Sequence, residues 1–116
     1  MPLGCILAHT DSLRALAFGG IGAAYNPVGA AFTHKVRMLR IINGTDGDMI
    51  FTDDTTDAAG KWIVPAKSFV LYDYTSNSHP NEGCLAYPEG IVVSVKQYTA
   101  PTEGAVWVEC TYVKGQ

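Results

Sequence analysis

Apolar residues in this chain recur at every second position, and that period decides the fold class. Residues 105–113 read AVWVECTYV. Val106, Val108, Cys110 and Tyr112 share one face, and Trp107, Glu109, Thr111 and Val113 share the other. Side chains alternate across a strand and recur every 3.6 residues on a helix, so this run is a half-buried strand. Residues 91–98 (IVVSVKQY) alternate too, with Ile91, Val93 and Val95 on one side and Ser94 and Lys96 on the other. Residues 68–75 (SFVLYDYT) and 36–42 (VRMLRII) read as two more strands, and 49–52, 61–64 and 84–87 as shorter ones. β-Branched and aromatic side chains, which suit a pleated surface, dominate these segments.

Turn residues separate the strands. Residues 43–48 (NGTDGD) predict a hairpin between 36–42 and 49–52. Residues 99–104 (TAPTEG) predict a second hairpin, between 91–98 and 105–113. Residues 76–83 read as a polar exposed loop. Residues 12–18 fit strand or helical spacing, and strands are favoured throughout the first thirty residues. Gly19, Gly20 and Gly22 sit too close together for a stable helix and predict a flexible connector. Seven or eight short strands without a helical pattern predict a single all-β domain over residues 1–116. The expected architecture is an antiparallel β-sandwich, with a small barrel as the alternative, and a jelly roll fits the strand count equally well. An immunoglobulin-type sandwich does not follow, because no two cysteines are suitably placed around Trp62.

Charge narrows the partners. The 116 residues carry a net charge of −3, and only 16% are charged, against about 25% in ordinary soluble domains. Eight Lys and Arg residues without a basic run exclude the electrostatic footprint of a nucleic-acid binder. The acidic balance argues against an anionic membrane surface, and no apolar run nears the ~20 residues of a membrane span. Neutral surface on this scale suits a subunit covered by neighbours. Residues 1–8 are apolar without a basic start, which predicts no signal peptide. Residues 1–11 are either an N-terminal arm that lies on a neighbour or a first strand of the protein's own sheet. Cys5, Cys84 and Cys110 are odd in number and form no CxxC pair, so reduced thiols packed as small apolar groups are expected. Asn43-Gly44-Thr45 matches a glycosylation sequon and is read as a turn.

Candidate chemistry is sparse. Asp53, Asp54 and Asp57, with Thr55 and Thr56 between them, offer clustered oxygens of the kind that bind Ca²⁺. The EF-hand spacing is absent, Asp46 and Asp48 would join only if the chain folded them together, and a solvated turn is the preferred reading. His9, His34 and His79 have no metal-ligand spacing. Neither a nucleophile elbow, a dinucleotide fingerprint nor a P-loop occurs. The expectation is no catalytic, cofactor-binding or metal-binding residues, and no enzyme activity. Trp62, Trp107, Phe69, Tyr72, Tyr74 and Tyr98 would form a carbohydrate platform only if coplanar on one concave face; core or sheet face is the commoner fate of strand aromatics.

Four stretches together carry a resemblance: RIINGTDGD at 40–48, IFTDD at 50–54, FVLYDYTSN at 69–77 and APTEGAVWV at 100–108. In this order and spacing the chain resembles small structural proteins of short-tailed bacteriophages, over residues 36–113. The resemblance implies a non-enzymatic virion protein. Its leading form is a capsid decoration, or cement, protein that binds the outer shell, staples neighbouring major capsid subunits and self-associates as a homodimer or higher oligomer. Such a protein is made in the host cytoplasm and resides on the capsid surface. The alternatives are a tail or head–tail connector component, or a carbohydrate-binding module of a receptor-binding structure.

Overall fold

The computed structural model describes residues 8–73 and 88–113. Nine strands lie among them: β1 (Ala8–Thr10), β2 (Arg14–Ala17), β3 (Asn26–Pro27), β4 (Val36–Asn43), β5 (Met49–Thr52), β6 (Trp62–Val64), β7 (Ser68–Asp73), β8 (Ser94–Gln97) and β9 (Ala105–Val113). The only helical element among the described residues is a 3₁₀ turn at Phe18–Gly20. All strand pairs are antiparallel.

Two sheets pack face to face. Sheet A runs β1-β9-β4-β7 with β2 also on β9, and sheet B runs β3-β8-β5-β6. β1 and β2 act as one bulged strand: Thr10 faces Thr111 and Arg14 faces Val108, so four steps on one side span three on the other. With that pair merged, the chain is a long antiparallel ribbon. β1/β2 lies on β9, β3 on β8, β4 on β7 and β5 on β6. The ribbon is rolled so that β9 also meets β4, and β8 meets β5. That is jelly-roll topology.

The rolled ribbon corrects both hairpin expectations. β4 and β5 lie in different sheets, as do β8 and β9. The turn residues at 43–48 and 98–104 therefore carry the chain across the sandwich, not back along a neighbour. The predicted strand 91–98 is regular only at Ser94–Gln97. Ser94, expected to face outward, is buried at the register position of Thr52 and Pro27. The glycine-rich connector is pinned: Ile21 is buried, and the Gln97 N–H donates to the Gly22 carbonyl at 2.9 Å. The expected strand 84–87, the loop 76–83 and residues 1–7 lie outside the described residues. The described part of the 1–11 segment is a strand of the protein's own sheet, continued by the Asp11 N–H bonding to the Cys110 carbonyl at 3.0 Å.

The core follows from the alternation. Sheet A contributes Val36, Leu39, Ile41, Val106, Val108 and Cys110; sheet B contributes Met49, Phe51, Val64 and Val95. Val28, Phe32, Ile21 and Val93 close it from the loops and strand ends. Fully burying each such side chain is worth about 1.5–3 kcal/mol, which fixes the relation of the two sheets.

Candidate interaction surface

Sheet A has an inner face committed to the core, so its outward residues are what it offers. Register places Ala15 beside Trp107, Trp107 beside Ile42, and Ile42 beside Phe69. This row is apolar from one sheet edge to the other. The next row holds Glu109, Arg40 and Leu71. Arg40 donates to both carboxylate oxygens of Glu109 at 2.7 and 2.8 Å, and its guanidinium lies 5.6 Å from the centre of the Phe69 ring. Thr10, Met38 and Thr111 join that row around a hollow of about 320 Å³. Phe69 and Leu71 are 57% and 51% exposed. Soluble surfaces seldom leave large contiguous apolar area to water without an interaction to explain it.

Two polar knots hold this face rigid. The first sits at the β4–β5 crossing. Asn43 is fully buried; its Nδ2 donates to the carbonyls of Gly47 and Val64, each at 2.8 Å, and its Oδ1 accepts from the Thr45 N–H and hydroxyl. The sequon asparagine is thus consumed inside the fold, in agreement with the turn reading. Trp107 lies over the neighbouring Gly44, where a Cβ would come within 2.3 Å of the indole. Asp46 secures the same corner by accepting from the Thr102 hydroxyl and N–H. Those bonds hold its carboxyl below the ordinary value of 3.8.

The second knot centres on Arg14, buried on the inner side of the β1/β2 bulge. Its guanidinium donates to the carbonyls of Ala30, Ala31 and Ser12, to Asp11 Oδ2 and to Cys110 Sγ. It also lies 5.1 Å from the Phe32 ring centre. All five N–H groups have a partner, which burial of this cation requires. Burial pushes the Asp11 carboxyl up, but the Ser12 N–H, Arg14 and Thr33 outweigh it and hold the pKa below 3.8. Burial raises the Cys110 thiol, so the one described cysteine is an unreactive packing group. Sequence reading missed this knot. Its signal was the single arginine in an otherwise apolar SLRALAF run.

The remaining candidates disperse. The 53–57 segment is a chain of side-chain-capped turns: Asp54 Oδ1 accepts from the Thr56 N–H and hydroxyl, Asp57 Oδ1 from the Ala59 N–H, and Asp53 pairs with Lys61 at 3.3 Å. Asp48 instead accepts from the Ala66 N–H. No group of three or more His, Cys, Asp or Glu side chains suited to a metal occurs among the described residues. His9 and His34, unrelated in sequence, both stack on Tyr112, with centroids 5.4 and 3.8 Å away; His79 lies outside the described residues. The described aromatic residues of this set divide between two places. Trp62 packs on Tyr72 with centroids 6.1 Å apart and lines, with Tyr98, Ile50 and Ile63, a hollow on sheet B, whereas Trp107 and Phe69 lie on the outer face of sheet A. Tyr74 is outside the described residues.

No family model and no curated protein matches the chain. Among solved structures it is similar to a chain reported under "Bacillus endospore appendages form a novel family of disulfide-linked pili". Identity is 11% and the TM-score 0.48, with 97% of this chain and 98% of that one covered.

Proposed function

We propose that this chain is a non-enzymatic structural subunit of a bacteriophage virion, acting as a capsid decoration protein on the outer shell. The observation that carries the reading is the apolar row Ala15, Trp107, Ile42 and Phe69, set on a rigid jelly roll with Leu71 beside it. A surface of this kind binds by burying area and needs no reactive group. Low charge and the resemblance to structural proteins of short-tailed phages support the same reading. The major capsid protein is the partner: a cement subunit adds stability when it touches two shell subunits, so that separating them also breaks its own contacts. Repetition over the shell turns a modest contact into a large collective one.

The test is position and copy number in purified particles, by quantitative mass spectrometry and image reconstruction. Shell-wide stoichiometry comparable to that of the major capsid subunit is expected. Confinement to a single ring at one vertex would place the protein in a connector and sink the decoration reading.

A further inference from the structure

An edge strand presents unpaired N–H and C=O groups to any chain that brings a strand of its own. Among the described residues this sandwich has four edges, and three are blunted. β3 has two residues, one of them Pro27. β6 has three and stops at Pro65. The β1/β2 edge is broken by its bulge. β7 is different: six residues in unbroken register with β4, with no proline and with no strand on its other side among the described residues.

The ladder shows which groups point outward. The Gly44 N–H bonds to the Ala105 carbonyl, so even-numbered residues of β4 bond toward β9 and odd-numbered ones toward β7. Ile41 faces Val70 in the register. Ser68, Val70 and Tyr72 therefore bond to β4, and Phe69 and Leu71 turn their backbone N–H and C=O to the open edge. The side chains of these same two residues are the exposed apolar ones.

We infer that this edge pairs with its own copy, β7 against β7 around a two-fold axis, joining two five-stranded sheets into one. The strand is self-complementary in one register. With Val70 opposite the partner's Val70, Phe69 falls opposite the partner's Leu71, and Leu71 opposite the partner's Phe69. A shift of two residues either way sets one of the two apolar residues against its own copy and takes the other off its apolar partner. Shifts of one residue oppose outward backbone groups with inward ones. Antiparallel self-pairing closes on itself, so the product is a dimer and not a filament. Four backbone hydrogen bonds and two Phe–Leu pairs make a small interface of the weak, reversible class. The outer apolar row then continues across the axis, doubling the surface offered to a partner. The inference concerns the isolated chain and stands whether or not the protein belongs to a capsid.

Sedimentation equilibrium of the full chain, carried to millimolar concentration, tests it. A monomer–dimer equilibrium is expected. Leu71→Pro removes an outward N–H while leaving the β4 ladder intact, and is expected to weaken the dimer about tenfold or more. Val70→Cys needs no weakening to be read. Cα atoms in a pair of this kind lie about 4.5 Å apart, within disulfide reach. Mild oxidation should give a covalent dimer whose peptide map shows a 70–70 link. A chain monomeric at every concentration overturns the inference, as does a dimer indifferent to Leu71→Pro, or one in which Val70→Cys forms no 70–70 link. Association that grows past the dimer overturns it too.

Discussion

Asn43→Ala removes the side chain that ties three chain segments together where β4 leaves sheet A. The Thr45 N–H loses the acceptor that Asn43 provides. The Val64 carbonyl loses the Asn43 amide but keeps the ladder bond from Met49, its register partner on β5, and the Gly47 carbonyl keeps the Thr45 hydroxyl as a donor. Leaving a buried polar group unpaired costs about 1–3 kcal/mol, a sizeable share of the roughly 5–15 kcal/mol by which a domain of this size is stable. Urea unfolding at 25 °C reads the effect as a lower midpoint with an unchanged slope, a fall of about 0.5–1.5 M. Asn43 and Thr45 share one network, so Asn43→Ala and Thr45→Ala should be non-additive, with a coupling of about 0.5–3 kcal/mol. A loss below about 1 kcal/mol, with additive single variants, would show that water or rearrangement satisfies these groups, and would refute the assignment of the knot as the corner's fastening.

Arg14→Met should cost about 3 kcal/mol or more in the same assay, because it strands Asp11 and the carbonyls of Ser12, Ala30 and Ala31; an effect within about 0.5 kcal/mol of zero would show the cation to be dispensable. Asp11, Asp46 and Asp54 all titrate below their ordinary value of 3.8, so the unfolded chain binds protons more readily than the folded one in acid. Their contribution is fully present above that value and lost as pH falls through the folded values, so melting temperature should decline in the acid limb below about pH 4, and Asp46→Asn should flatten that limb. Cys110 should resist alkylation in the native protein and react only after denaturation, as peptide mapping of labelled samples would show; native labelling at Cys110 would contradict its burial.

The fold class was legible because alternation is a local property. Val106, Val108 and Cys110 are buried, as the period places them, while Trp107 and Glu109 stand outward. Which sheet each strand joins was not legible. Asn-Gly and Glu-Gly signals mark where a chain turns, and the same residues serve a hairpin or a crossing between sheets. What distinguishes them here is tertiary. Asn43 reaches Val64 on β6, twenty-one residues on, and Asp46 reaches Thr102, fifty-six residues on. The surface was half legible. In SFVLYD both parities are apolar, Phe69 and Leu71 on one and Val70 and Tyr72 on the other, which already denotes a strand with something to bury on each face. The stacking of His9 and His34 on Tyr112 depends on β1, β9 and the segment that leads into β4 meeting, and no local spacing encodes it.

The placement of polar and apolar groups in this molecule runs against the usual economy, and the inversion has a mechanical reading. Asn43, Thr45 and Arg14 are buried, where each needs several partners in fixed geometry. Phe69, Leu71, Ile63 and Tyr98 stand in water, where they contribute little to folding. A buried polar network tolerates one arrangement, so it fixes the corners from which the outer faces hang. An exposed apolar row gains free energy only on contact, and gains most when it is already flat and rigid, because ordering it on binding would consume part of the gain. Trp107 joins the two halves of this logic. Its ring lies on the glycine next to Asn43 and forms the middle of the outer row. Loosening the Asn43 corner should therefore weaken binding through this face even in variants that remain folded, whereas removing Phe69 should weaken binding and leave the corner intact.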